Sequence, residues 1–317
     1  MESELTSIFS AEDLTSLSDC RICPRNCGIN RIAGELGYCR SDAAFHISSV
    51  CIHKGEEPVI SGKKGICNVF FSRCNLQCLF CQNHEISRNK GDVIEKKMTF
   101  DEVIQKIKET LLHTENVVGF VSPSHFVPHV KAIINALRSD GLNPVFVYNT
   151  NGYDSVDSLK SLEGYIDVYL PDLKYADADL SLAFSQARNY PDVAGEALKE
   201  MFRQKGSTLK VDDNGIAVSG MIIRHLVLPD AIENSTGVLR FIAEELSERV
   251  HISLMSQYFP TPRVRQIPQL NRLITIEEYD QVTEAFYDLG FFRGWLQEPD
   301  SHQQFRPSFE NDQAFEV

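Results

Sequence analysis

From about residue 66 onward the chain alternates short apolar runs with longer amphipathic stretches. Asn68-Val69-Phe70-Phe71 reads as a strand, and Val117 to Val121 as the next. Pro144 to Tyr148, Ile166 to Leu170, Met221 to Leu228 and His251 to Met255 complete six. Between them apolar positions recur at helical spacing. Thr99-Phe100-Asp101-Glu102 is a capping-box pattern ahead of Val103, Ile104, Ile107 and Leu111. Its hydroxyl and carboxylate satisfy N–H groups that a first helical turn leaves free. Pro128 stands near a helix start before Val130, Ile133, Ile134 and Leu137, with Gly141 as a stop. Val238, Leu239, Ile242 and Leu246 mark the helix between the last two strands. A second capping pattern, Thr275 to Glu278, opens a helix that stops near Gly290. Strands alternating with helices predict parallel pairing through right-handed crossovers. A six-unit partial (β/α) barrel fits this α/β pattern, and so does a doubly wound open sheet.

The flanks differ. Residues 1–19 read as a polar lead-in, and residues 20–65 are rich in Cys, Gly and Arg with little periodicity. So few apolar residues could not hold a fold alone, which predicts a small metal-stapled unit. The expected organisation is a cysteine-rich extension over 1–65, a barrel over 66–297 and a polar tail over 298–317, expected to be mobile. Residues 175–215 read as a longer polar and helical insertion.

Composition narrows the class. Of 317 residues, 43% are apolar and 24% charged, as in a soluble globular protein with a large core. No run of 18 apolar residues occurs, so no membrane span is expected. Met1-Glu2-Ser3-Glu4 is acidic and leads into no long apolar stretch, unlike a secretion signal. The net charge of −13 disfavours a general nucleic-acid binder. All nine cysteines fall between Cys20 and Cys81, where core cysteines would scatter. Metal is the expected reason, since disulfides are unexpected here, and a reducing cytoplasm is the expected location.

Cys74, Cys78 and Cys81 have the spacing C-x3-C-x2-C and follow the first strand of the alternation. Three thiolates can hold three irons of a cubane and leave the fourth open to a small molecule. With the aromatic Phe80 just before the third cysteine, this pattern resembles the cluster loop of radical S-adenosylmethionine (SAM) enzymes. The resemblance implies a partial (β/α)6 barrel, a [4Fe–4S] cluster, and SAM chelated to the open iron. It implies a radical SAM oxidoreductase that cleaves SAM with one electron to methionine and a 5′-deoxyadenosyl radical for hydrogen abstraction. The protein then positions the cofactors and excludes water.

Ligands gather at the carboxyl ends of strands in such folds. Polar residues occupy those ends here: Ser122, Ser124 and His125; Asn149 and Asn151; Asp172 and Lys174; Arg224 and His225; Ser256 and Gln257. Each has a plainer reading. The two asparagines could be turn residues before Gly152, Asp172 and Lys174 a solvated ion pair, and His225 a hydrogen-bonded core residue.

The resemblance extends to the glycyl-radical-activating branch, and most to homologues of pyruvate formate-lyase activating enzyme. It rests on Cys23-Pro24-Arg25-Asn26-Cys27-Gly28, His53-Lys54-Gly55-Glu56-Glu57-Pro58, Cys81-Gln82-Asn83, Tyr148 to Tyr153, Tyr169 to Lys174, and Arg224 to Pro229, within similarity from about residue 18 to 295. It implies Asn149, Asn151, Asp172 and Lys174 around SAM or a substrate channel. The candidates are then Asp172, Lys174 and His125 for catalysis, and Phe80, Asn83, Ser122, Ser124, Asn149, Asn151 and Arg224 for cofactor binding. Many activases carry Gly-Gly-Glu after the second strand; Ser122-Pro123-Ser124-His125 stands there instead. A protein substrate and a flavodoxin or ferredoxin-type electron donor are implied. The alternatives are modification of a small molecule or peptide, and a non-catalytic iron–sulfur electron-transfer protein.

Cys20, Cys23, Cys27 and Cys39 supply four more thiolates, enough for a zinc site or a second, closed cubane. Cys51 and Cys67 match neither set and read as small buried residues. His53 with Glu56 and Glu57 reads either as a metal or acid/base group or as a hydrogen-bonded loop.

Overall fold

In the computed structural model, which describes residues 2–298, 301, 307–311 and 314–315, ten strands form one sheet. They are β1 (Phe45–His53), β2 (Ile66–Phe71), β3 (Lys96–Met98), β4 (Val117–Val121), β5 (Val145–Thr150), β6 (Val168–Pro171), β7 (Lys210–Val211), β8 (Ala217–Leu226), β9 (His251–Met255) and β10 (Gly294–Leu296). The order across the sheet is β10-β9-β8-β6-β5-β4-β2-β1-β3, with β7 beside β8. β2, β4, β5, β6, β8 and β9 are the six predicted strands, and neighbours among them pair in parallel. Their order follows the sequence without reversal. A doubly wound sheet reverses at a switch point, so this sheet is singly wound, with its crossovers on one side: a partial barrel. β10 adds a parallel strand beside β9.

The helices form where the periodicity places them. Phe100–Leu111 and Ile276–Asp288 both begin with complete capping boxes, at Thr99/Glu102 and Thr275/Glu278. Val103, Ile104 and Ile107 bury one face of the first. The insertion after β6 folds as helices Ala178–Ser185 and Tyr190–Lys205.

The N-terminal 65 residues carry more regular structure than their pattern suggests. β1 is buried along nearly its whole length although His46, Ser48, Ser49 and His53 are polar, and a register shift between Ile47 and Ser49 interrupts its alternation. It pairs antiparallel with β2 and brings its own strand into the sheet. Helices Glu2–Ile8 and Ala11–Ser18 replace the expected lead-in. Leu17 is buried, and the Lys131 ammonium holds the Asp13 carboxylate at 2.7 Å. After β1, the turn Pro58–Ser61 plugs the barrel floor. Its Ile60 packs against Ile66, Val117 and Val168, the first residues of β2, β4 and β6. Glu56 and Glu57 thereby enter the barrel from below.

Of the expected tail, residues 299–300, 302–306, 312–313 and 316–317 lie outside the described residues. Phe309 and Ala314 lie in one apolar cluster with Cys51, Phe70 and Val121. Among the described residues, no helix is long and apolar enough to cross a membrane.

Gly152 shows how tightly the strand ends approach. It has φ +78°, and a Cβ there would lie 2.4 Å from the Asp172 carbonyl oxygen. A left-handed alanine alone costs about 1–2 kcal/mol, and the backbone contact adds to it. Gly152→Ala is therefore expected to lower the urea midpoint by at least that equivalent; an unchanged midpoint would contradict this packing.

Candidate active site

The carboxyl ends of the strands open into a cavity of about 460 Å³. The cysteine loop, just after β2, forms one wall. Cys74 and Cys78 are buried and Cys81 is half-buried. Each sulfur accepts a hydrogen bond from the protein. Cys74 takes the Leu76 N–H at 3.4 Å and the Asn151 amide at 3.2 Å. Cys78 takes the Ser185 hydroxyl at 3.0 Å, and Cys81 the Ser87 hydroxyl at 3.3 Å. Such donors favour the charged thiolate. Without metal, burial pushes the Cys74 thiol up to about 12, so loading a cluster must release protons. Among the described residues, no group of three or more His, Cys, Asp or Glu side chains is placed to hold a single metal ion. A cubane instead places each thiolate on its own iron. Three thiols beside a cavity, each with its own donor, fit that demand.

Opposite the loop lies an ion network. The Arg224 guanidinium donates to Asp172 at 2.8 Å, Glu56 at 3.0 Å and the Asn149 side-chain amide oxygen Oδ1 at 2.7 Å. The Lys174 ammonium donates to the other Asp172 oxygen at 2.5 Å. Asn149 and Asn68 both donate to Glu56, at 3.1 and 3.0 Å. Burial alone would raise the Asp172 carboxyl, but Arg224 and Lys174 outweigh it and hold the carboxyl below its ordinary range. Glu57 is buried beside the network, and burial raises its carboxyl. Tyr190 ties two strand ends together: its hydroxyl lies 2.9 Å from the Asn151 carbonyl oxygen and 3.0 Å from that of Asp172.

Most of the predicted site residues meet here. Phe80, Asn83, Ser122, Asn149, Asn151, Asp172, Lys174 and Arg224 all line the cavity with Cys74, Cys78 and Cys81. Ser124 and His125 are not brought to it. Ser124 shares a hydrogen bond with Thr150 at 3.0 Å. His125 is buried, with Nε2 3.2 Å from the Ser72 carbonyl oxygen, and burial lowers its pKa to about 3. The Ser122–His125 turn presents its first residue and folds the others into the core. His225 is likewise internal, bridging the Leu173 carbonyl oxygen and the Ser235 hydroxyl at 2.7 and 2.9 Å. His53, Glu56 and Glu57 do line the cavity, with Glu56 committed to Arg224 and the two asparagines. Ser87 and Ser185 escape sequence reasoning, because their elements meet the cysteine loop only on folding. Asn68 carries one weak signal, a polar residue inside an apolar strand.

The N-terminal cysteines form a separate constellation. Cys20, Cys23 and Cys39 are buried and Cys27 is half-buried. Burial raises the Cys20 and Cys23 thiols, and the neighbouring Cys27 and Cys39 sulfurs add to that rise. The Cys27 sulfur accepts the Tyr38 N–H at 3.4 Å. A Cβ at Gly37 would lie 2.9 Å from that sulfur, so glycine there makes room for it. Cys51 and Cys67 are buried on β1 and β2.

Arg224→Leu would leave the Glu56 and Asp172 carboxylates short of their shared cation. Removing one partner from a buried ion network costs about 3–5 kcal/mol. The depressed Asp172 pKa adds stability above its unfolded value of about 4, and this is lost as pH falls through the lower folded value. Urea titrations should therefore show the full deficit at pH 7 and a smaller one in acid. A deficit independent of pH, or none, would contradict the network.

Comparison with known proteins agrees with this geometry. The sequence model of the Radical SAM superfamily matches residues 68–211, which span the cysteine loop and β4 to β6. The uncharacterized protein MJ0674 of Methanocaldococcus jannaschii is 30% identical over 271 residues, covering 84% of this chain and 73% of its own. HydG, a maturase of the [FeFe]-hydrogenase, is similar in fold, with a TM-score of 0.51 at 11% identity, over 75% of this chain and 53% of its own. This chain thus spans about half of HydG. A domain of pyruvate-formate lyase-activating enzyme from Bacteroides vulgatus aligns over 54% of this chain and 93% of its own, with a TM-score of 0.38 at 14% identity. With the three-thiol loop at the mouth of a singly wound barrel, the family model and the relationship to MJ0674 show that the chain belongs to the radical SAM superfamily.

Proposed function

We propose that this radical SAM enzyme abstracts a hydrogen atom from a protein partner, with a backbone glycine as the donor. The observation that carries the radical chemistry is the set of three hydrogen-bonded thiols on a cavity wall, facing the Arg224 network. The glycine reading rests on the resemblance of Tyr148 to Tyr153, Tyr169 to Lys174 and Arg224 to Pro229 to the glycyl-radical-activating branch. Residues from each of these segments line the cavity.

When bound, the cluster and SAM supply one-electron cleavage of the sulfonium and a 5′-deoxyadenosyl radical. Cys74, Cys78 and Cys81 would hold the cluster. The residues around it orient and shield. Asn151 fixes the Cys74 sulfur and donates to the Asn75 side-chain oxygen Oδ1 at 2.8 Å, coupling the end of β5 to the cysteine loop. Asp172 and Glu56 offset Lys174 and Arg224 in charge, so the wall presents fixed dipoles without an excess of either sign. That suits a ligand carrying an ammonium, a carboxylate and a sulfonium together. Phe80, Leu226 and Met255 line the same cavity and exclude water, which would otherwise weaken every electrostatic contact within it.

Cys20, Cys23, Cys27 and Cys39 are assigned to a second, closed iron–sulfur cluster, since they are not placed around a single ion. The carrying observation is four neighbouring thiols, three of them buried, outside the catalytic cavity.

Two experiments test these readings. Anaerobically reconstituted protein given SAM and dithionite should form 5′-deoxyadenosine, and Cys78→Ala should reduce it to background; equal turnover by the variant would refute the assignment. Transfer of deuterium from a glycine-labelled partner into 5′-deoxyadenosine would support the protein substrate, and turnover without transfer would favour a small molecule or peptide. Second, Cys23→Ala should lose roughly four irons per chain while keeping the iron of the catalytic loop. Metal content equal to wild type would rule out the second centre.

A further inference from the structure

A second basin, of about 840 Å³, lies on the other side of the cysteine loop. Among the described residues, none lines both it and the catalytic cavity. Of its twelve described lining residues, five are cationic, Arg40, Arg73, Arg88, Lys90 and Arg263, and none is acidic. This is a local excess of positive charge on a chain of net charge −13. The nearby Glu95 neutralises Arg73 at 3.0 Å, which leaves four cations around the rim. Arg40 and Lys90 are exposed. Charges spread over a rim in this way suit a broad partner surface better than one small anion held at a point.

The floor of the basin lies close to both cysteine sets. Arg73 and Gln77 adjoin Cys74 and Cys78 in the chain, and the Arg263 guanidinium donates to the Cys78 carbonyl oxygen at 3.3 Å. Gly37 and Tyr38 form another part of the wall, and the Tyr38 N–H donates to the Cys27 sulfur. Arg25 stacks 3.8 Å from the centre of the Tyr38 ring and donates to the Asn75 carbonyl oxygen at 2.8 Å. One short stretch of surface therefore touches the backbone of the catalytic loop and that of the N-terminal set, away from the cavity that would receive SAM and substrate.

We propose that this basin is the docking surface for an acidic one-electron carrier protein. The inference rests on the radical SAM reading, whose chemistry requires an external electron. On docking, the carrier is oxidised by one electron and the cluster held by Cys74, Cys78 and Cys81 is reduced by it; no bond is made or broken. Complementary charge raises the encounter rate and fixes orientation. The reductant then approaches from behind the loop while the reacting cavity stays closed to it.

The test measures binding of a labelled acidic flavodoxin to the reconstituted full chain by fluorescence anisotropy. Variants are Lys90→Glu, the double Arg88→Glu/Lys90→Glu, and Arg249→Glu, an exposed change just before β9 at the opposite end of the strands. The double variant should bind at least ten-fold more weakly than wild type, Lys90→Glu several-fold more weakly, and Arg249→Glu equally. The differences should shrink between 0.1 and 1 M salt, as the Debye length falls from about 10 to 3 Å. Dithionite-driven formation of 5′-deoxyadenosine should be equal in all four proteins, whereas formation driven by reduced flavodoxin should fall with binding. Wild-type affinity in the double variant, or equal loss in Arg249→Glu, would overturn the proposal. Tighter binding of single-stranded RNA than of flavodoxin at the same salt would also overturn it, in favour of a nucleic-acid partner. Absence of dithionite-driven cleavage in the wild type would sink the catalytic reading instead, and the binding comparison would still decide the docking surface.

Discussion

The strand ends depend on one buried cation. Arg224 rises from β8 into the barrel and engages Asp172 beyond β6, Asn149 on β5 and Glu56 from the loop after β1. A guanidinium suits this position because its planar fork serves several acceptors in fixed directions. Each of those acceptors would be costly to bury alone. The network therefore makes its members interdependent, and it links the floor plug to the strand ends. The side chains facing the cysteine loop are held by this mutual dependence rather than by loop conformation.

The cysteine loop shows the complementary constraint. Burial raises the Cys74 and Cys78 thiols, so the bare protein disfavours the charge that iron requires. Donors from three other places, Asn151, Ser185 and Ser87, reach those sulfurs and Cys81. The insertion after β6, which supplies Ser185, thus contributes directly to the site. It also supplies Tyr190, which joins the ends of β5 and β6.

Much of this was legible in the chain. Val117–Val121 and His251–Met255 are strands with the bounds their apolar runs suggest, and both capping boxes form. Polar residues closing successive apolar runs identified Asn149, Asn151, Asp172, Lys174 and Arg224, because a parallel strand buried on both faces concentrates its polar groups near its carboxyl end, with Asn68 inside β2 as an exception. The same rule misplaced Ser124 and His125: a turn after a strand has an inward and an outward side, and residue type does not mark which is which. β1 was illegible because it buries four polar residues and a register shift between Ile47 and Ser49 interrupts its alternation. Ser87, Ser185 and Tyr190 carry no local signal, since their roles come from contacts distant in sequence.

The central claim is that Cys74, Cys78 and Cys81 hold a cluster with one iron open to SAM. Electron paramagnetic resonance of the one-electron-reduced, reconstituted protein tests it most directly, recorded with and without SAM. To isolate this cluster, both spectra are taken on a Cys23→Ala background. The account predicts a reduced-cluster signal whose g-values shift when SAM is added. A reduced-cluster signal unchanged by saturating SAM would contradict it.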